Sequence, residues 1–186
     1  MTSLLNSHLN SSLLPSPWVS RFAGLVPAGG TVLDLACGGG RHSRLLAGLG
    51  YLVEAVDRDA SAFGELAKIC GLQVREADLE GGFWPYGEAE FSGIVVTNYL
   101  FRPRLPQLLA ALAEPGVLIY ETFMIGNERY GKPSNPEFLL QPQELLSWAK
   151  ESGLSVVAFE EGYVDLPKPA MVQRLCAIRG ALAARV

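Results

Sequence analysis

Four acidic residues and one glycine run carry the chemistry that this chain can do. In Asp34-Leu35-Ala36-Cys37-Gly38-Gly39-Gly40-Arg41 an acid precedes small residues at 36, 38 and 40, and a helical pattern follows. Glycines at such a turn let a ligand approach the backbone closely, and the helix behind them offers unpaired N–H groups to an anion. The same run also suits an ordinary tight turn. Two nucleotide motifs fail on it. G-x-G-x-x-G aligned on Gly38 and Gly40 needs glycine at position 43, where Ser43 stands, and no Gly-Lys is followed by Ser or Thr. Asp57 stands 23 residues after Asp34, in Val56-Asp57-Arg58-Asp59. A carboxylate there can accept two hydroxyl groups at once. Solvation or helix capping is the commoner use of such an acid, and Asp59 is the better placed cap. Asp78 stands in Ala77-Asp78-Leu79 and Glu121 in Tyr120-Glu121-Thr122-Phe123. A carboxylate leaving a buried strand is a candidate general base, and orienting the segment behind it is the alternative. His8, His42, Cys37, Cys70 and Cys176 are too few and too scattered for a metal site or a disulfide framework. His42 reads as structural and Cys37 as packing.

The elements that must position these residues alternate along the chain. Ser16-Pro17 opens a helix with Trp18, Phe22 and Leu25 on one face, stopped at residues 27–30. Residues 31–36 form a near-continuous apolar run, as in a strand buried on both faces. Leu45, Leu46 and Leu49 mark a helix, 52–56 a second strand, and Phe63, Leu66, Ala67 and Cys70 a helix capped by Asp59 and ended by Gly71. Strands follow at 72–77 and around 94–96. A helical stripe comes next at Leu105, Leu108, Leu109 and Leu112, and then a strand at 117–120. Pro142 opens a helix through Leu145, Leu146 and Ala149, and 154–159 and 171–178 make a terminal hairpin. Strands separated by helices imply a parallel sheet with right-handed crossovers, and the hairpin makes the last strand antiparallel. The expected fold is therefore α/β, a three-layer sandwich around a seven-stranded, mostly parallel sheet. Residues 124–141 (MIGNERYGKPSNPEFLLQ) are too long for a simple connector. They read as a lid over the carboxyl edge of the sheet, with Asn127, Arg129 and Tyr130 facing the site.

Composition narrows the function classes. The chain has 186 residues, 49% hydrophobic and 18% charged, which suits one domain spanning 1–186 with an N-terminal tail and helix in 1–30. A net charge of −4 without a basic run disfavours nucleic acid. No apolar stretch is long enough for a membrane span, and residues 1–20 lack Lys and Arg, so a cytoplasmic protein is expected.

The glycine run with its acid resembles the first motif of the class I S-adenosylmethionine-dependent methyltransferases, acid-x-Gly-x-Gly-x-Gly, with Ala36 in place of the first glycine. LDLACGGGRHS is most similar to small bacterial members of the tellurite-resistance type. The resemblance implies a Rossmann-like fold and S-adenosylmethionine as cofactor. It also implies a binding set of Asp34, Ala36, Gly38, Gly40, Asp57, Arg58, Asp78, Leu79 and Asn98. Asp57 would hold the ribose and Asp78 the adenine amino group. Tyr99 would lie beside the transferable methyl and Glu121 at the acceptor, as the catalytic pair. Too little chain remains outside the core for a large substrate, so a small-molecule acceptor is expected. Arg102, Arg104, Arg129, Lys132 and Lys168 share the carboxyl edge and suggest an anionic or electron-rich acceptor, although Glu121, Glu128, Glu137 and Asp165 stand there to neutralise them. A non-catalytic module that binds S-adenosylmethionine and an NAD-dependent oxidoreductase are the alternatives. Ser43 and the antiparallel last strand speak against the second.

Overall fold

The computed structural model describes residues 14–181. The expected tail before residue 14 lies outside them. Apolar runs become strands β1 (Thr31–Leu35), β2 (Leu52–Asp57), β3 (Leu72–Glu76), β4 (Phe91–Thr97), β5 (Leu112–Phe123), β6 (Ser155–Val164) and β7 (Ala170–Arg179). The helices are α1 (Pro17–Phe22), α2 (Arg41–Gly48), α3 (Phe63–Leu66), α4 (Leu105–Ala110) and α5 (Glu144–Glu151). The sheet order is β3-β2-β1-β4-β5-β7-β6. β1 pairs in parallel with β2 and β4, and the neighbouring pairs β2–β3 and β4–β5 are parallel too. β7 runs antiparallel to both β5 and β6.

Alternation along each strand sorts the core into two layers. Val32, Val53, Val95 and Ile119 face Trp18, Val19, Phe22, Leu46 and Leu66, from the α1, α2 and α3 side. Leu33, Val56, Ile94 and Leu118 face Leu108, Leu109, Leu145 and Ala149, from α4 and α5. The order reverses between β1 and β4, so a crevice opens at their carboxyl ends, where sheets of this kind bind ligands.

Several elements differ from expectation. Leu112 does not finish the helical stripe. It opens β5, opposite Phe91, and the register jumps from that pair to Gly93 opposite Val117. Pro115 and Gly116 end any helical pattern beforehand, so the crossover helix stops at Ala110. The helix after Asp59 is also shorter. Asp59 caps Ala60–Ala62, a 3-10 turn, and α3 holds only Phe63–Leu66, which leaves Cys70 exposed. β6 and β7 extend well beyond the expected hairpin, leaving only 165–169 between them.

Residues 124–141 are tied to the rest of the fold at both ends and in the middle. Met124 bridges Leu140, so the ends of the loop meet. Asn127 is buried rather than site-facing: its amide donates to the Pro133 carbonyl and accepts from Met171 N–H. Arg102 ties down the far side, donating to both Glu144 carboxylate oxygens (2.7 and 2.8 Å) and to the Glu137 and Leu139 carbonyls.

Candidate active site

The glycine run sits at the carboxyl end of β1 and bends through left-handed backbone at Ala36 (φ 54°), Gly38 (φ 51°) and Gly40 (φ 72°). The left-handed region costs an L-residue about 1–2 kcal/mol, so Ala36 bears strain that a glycine would not. At Gly40 the left-handed backbone favours glycine, and a Cβ would press on the end of the buried Leu66 side chain. Gly38 and Gly39 are different: a Cβ on either would meet nothing within 4 Å. Their backbone fronts open space in which a ligand can lie against the chain.

Asp57 ties this loop to β2. Its Oδ2 accepts Gly38 N–H at 2.7 Å and its Oδ1 accepts Asp59 N–H at 2.9 Å. A carboxylate has about four acceptor sites, so each oxygen keeps capacity for a hydroxyl donor. Asp78 accepts Glu80 and Gly81 N–H groups through Oδ1, and these bonds hold its carboxyl below the usual range. Arg58 is exposed beside Asp57, while Leu79 is buried behind Asp78. Asp34 does not reach the open space. It is 1% exposed, takes the Ser43 hydroxyl at 2.5 Å, and burial lifts its pKa to about 6.

Tyr99 points toward this same end. Its hydroxyl is buried and has no partner among the described residues. Burial raises its pKa, with further lifts from the charges of Glu80 and Asp78. The adjacent cavity, lined by Leu79, Trp84, Tyr99 and Arg104 among others, measures about 10 Å³, room for one water.

A second polar cluster lies at the ends of β4 and β5, on the α1–α2 side. Glu121 pairs in register with Thr97, and its carbonyl accepts Asn98 N–H at 2.9 Å. Asn98 takes the left-handed conformation (φ 55°) and is exposed. Glu121 Oε2 accepts the Ser16 hydroxyl at 2.9 Å and lies 2.8 Å from Arg174 Nε. Ser16 N–H donates to His42 Nε2 at 3.1 Å. A backbone N–H can only donate, so Nε2 is unprotonated and Nδ1 carries the proton toward Thr97 Oγ1, 3.3 Å away. Burial, helped by the Arg41 charge, pushes the His42 pKa down to about 3, which keeps the ring neutral.

The chain thus gathers Gly38, Gly40, Asp57, Arg58, Asp78 and Leu79 around the ends of β1 to β3. Asn98, Tyr99 and Glu121 lie at the ends of β4 and β5, where the Glu121 carbonyl accepts Asn98 N–H and the Tyr99 carbonyl accepts the Tyr120 hydroxyl. Sequence reasoning missed Ser16 and Arg174 as partners of Glu121. A lone arginine inside the apolar strand Met171-Val172-Gln173-Arg174-Leu175-Cys176 was the available signal, since a buried charge needs a counter-ion. Two cations of the expected basic mouth are spent within the fold. Arg102 clamps the loop, and Arg104 donates to the Leu79 and Gly82 carbonyls and to Gln107.

Comparison with known proteins follows this division. A family model described as tellurite resistance protein TehB matches residues 20–80, the stretch holding the glycine run, Asp57 and Asp78. TehB from Haemophilus influenzae superposes with a TM-score of 0.70 at 20% identity, over 89% of this chain and 62% of that one. The 1,6-didemethyltoxoflavin-N1-methyltransferase of Burkholderia thailandensis, solved with 1,6-didemethyltoxoflavin and S-adenosylhomocysteine, gives 0.69 at 16% identity over 97% and 87%. The fold is that of the class I S-adenosylmethionine-dependent methyltransferases. A protein-L-isoaspartate O-methyltransferase from Chlorobaculum tepidum is 38% identical over 109 residues, 56% of this chain. The chain spans about half (49%) of that relative's length. Within the methyltransferase fold, the antiparallel β7 places Arg174 beside Glu121. Among the described residues no group of three or more His, Cys, Asp or Glu could hold a metal ion, and no helix is long and apolar enough to cross a membrane.

Proposed function

We propose that this chain transfers the methyl group of S-adenosylmethionine to a small-molecule acceptor. The observation that carries the reading is the open backbone of Gly38 and Gly39 joined to Asp57 by the 2.7 Å bond from Gly38 N–H. That pairing sets a carboxylate for two ribose hydroxyls beside a surface on which the amino-acid end of the donor can rest, above the first turn of α2. Gly40 and Ala36 shape that surface, and Asp34 supports it from below through Ser43. Asp78 and Leu79 take the adenine, with Arg58 over its edge. Tyr99, whose hydroxyl is buried without a partner among the described residues, stands beside the transferable methyl. Asn98 adds to the donor set, and Glu121 fronts the acceptor. The donor supplies a strongly activated methyl, and the protein's share is alignment, for which proximity contributes up to about 7–11 kcal/mol.

A small acceptor agrees with the loop at 124–141, whose ends meet at Met124 and Leu140 and whose Asn127 is buried. The N1-methyltransferase of similar fold holds a small heterocycle. The isoaspartate methyltransferase relative favours a second reading, a protein acceptor. A net charge of −4 speaks against nucleic acid.

Calorimetry with S-adenosylhomocysteine and with NAD tests the donor. The first is expected to bind and the second to fail. Asp57→Ala is expected to weaken the first at least tenfold, about 1.4 kcal/mol, while the variant stays folded. Unchanged affinity would remove Asp57 from the site. Turnover with methyl-labelled donor in a cell extract then separates the acceptors. Label in the small-molecule fraction supports the reading, label in protein supports the second, and binding without any transfer returns the chain to a non-catalytic module.

A further inference from the structure

The charge around Glu121 selects the kind of atom that receives the methyl, an inference that rests on the proposed transferase activity. Glu121 is buried at the end of β5, with its side chain 11% exposed, and its Oε2 accepts the Ser16 hydroxyl and lies 2.8 Å from Arg174 Nε, whose N–H is not aligned for a hydrogen bond. Arg174 does not cancel the negative charge. The same guanidinium also reaches Glu160 at 3.4 Å, so two carboxylates share one cation and the group keeps a net charge of −1. His42, the next polar neighbour, is neutral and adds nothing. Three of the basic residues on this edge are committed elsewhere. Arg102 is bound to Glu144 and two carbonyls, and Arg104 to two carbonyls and Gln107. Lys168 lies over the Phe123 ring, 5.8 Å from its centre. The group formed by Glu121, Glu160 and Arg174 is therefore itself negative, which weighs against the anionic acceptor that the distribution of basic residues suggested.

We infer that the acceptor atom is a neutral nitrogen, and that Ser16 and Arg174 are positioning residues which aim the Glu121 carboxylate at the positive charge formed on it. In the transfer, the nitrogen lone pair forms the new N–C bond. The S–C bond breaks with its electron pair returning to sulfur, and the unit positive charge passes from sulfur to nitrogen. Any N–H proton then leaves to water. A preorganised carboxylate on the acceptor side stabilises charge that exists there only as the reaction proceeds, which favours the transition state over the ground state. An anionic oxygen or thiolate acceptor would be repelled by the same carboxylate before reacting.

The test has a binding arm and a product arm. Sinefungin carries an ammonium group where the donor carries its S-methyl, so it places positive charge at the transfer point. S-adenosylhomocysteine is neutral there. The wild type is expected to bind sinefungin at least tenfold more tightly than S-adenosylhomocysteine. Glu121→Gln should abolish that preference, with the S-adenosylhomocysteine affinity held within twofold. Should Glu121→Gln fail to fold with Arg174 left unpaired, the double variant Glu121→Gln/Arg174→Met removes both charges and is expected to lose the preference equally. Arg174→Lys should keep it. In the product arm, label from the extract should enter a molecule methylated on nitrogen and retained on a cation exchanger, and Glu121→Gln should lower kcat about a hundredfold with the donor KM unchanged. Label in a methyl ester, aryl ether or thioether overturns the inference, as does a sinefungin preference that survives Glu121→Gln. Failure of the wild type to bind either ligand instead sinks the proposed transferase activity, and this inference with it.

Discussion

Asp34→Asn is expected to change how the stability of the protein depends on pH, in a direction set by burial. The Asp34 carboxyl is 1% exposed, and its pKa is lifted from 3.8 to about 6, chiefly by loss of water and against the Ser43 hydrogen bond. The folded state therefore binds this proton more tightly than the unfolded chain does. Stability from the protonated form is fully present below 3.8 and is lost as pH rises through 6. A displacement of a little over two pH units corresponds to about 3 kcal/mol in all, of which about 2.5 kcal/mol falls between pH 4 and 7.5. Asparagine keeps an oxygen that can accept from Ser43 but cannot ionise. Urea unfolding of both proteins across that range gives a difference in which the other titrating groups largely cancel. The variant should gain about 2.5 kcal/mol on the wild type from pH 4 to 7.5, with most of the change above pH 4.5. A difference that stays level to within about 0.5 kcal/mol would refute the reasoning, because it would mean that the fold does not disfavour the ionised carboxylate.

Two further outcomes test the polar supports. Ser16→Ala removes the helix cap to Trp18 N–H and a hydrogen bond to a buried carboxylate, and should cost about 2–4 kcal/mol, a fall of roughly 4–16 °C in Tm. A cycle with Glu121→Gln should show the two changes coupled by about 1 kcal/mol or more, and additive losses would count against the bond. Arg102→Met should free residues 124–141 from their clamp and raise proteolytic nicking there about tenfold, by the share of closed loop that one multiply bonded guanidinium holds. Equal nicking would mean that Asn127 and the bridge between Met124 and Leu140 suffice.

The alternation of strands and helices, and with it the mostly parallel sheet, was legible because apolar runs such as Ile94-Val95-Val96 and helical stripes such as Leu145-Leu146-Ala149 obey different periods. The glycine run was legible because backbone geometry restricts residue type there. Leu112 was misread because a leucine next to a helical stripe fits both periods, and only Pro115 and Gly116 reveal the change. The loop at 124–141 was legible as a segment too long for a simple connector, but its anchors were not, because the partners of Asn127 and Arg102 lie up to 44 residues away in the chain. The acceptor end was the least legible part, since Ser16 reaches Glu121 across 105 residues and no local pattern encodes that meeting.

The insertion of β7 between β5 and β6 has a consequence during synthesis. β5 ends at Phe123 and its partner on that side begins at Ala170, 47 residues later. At about 5–20 residues per second the ribosome needs roughly 2–9 s to supply it. Throughout that interval the nascent chain carries an open strand edge, a template for pairing with other chains, next to a carboxylate whose counter-ion has not been made. β6 emerges first and cannot close the edge, because its place is on the far side of β7. Chaperone dependence and losses to aggregation should therefore concentrate in chains stalled between residues 124 and 170, and Glu121 acquires its cation only when β7 docks.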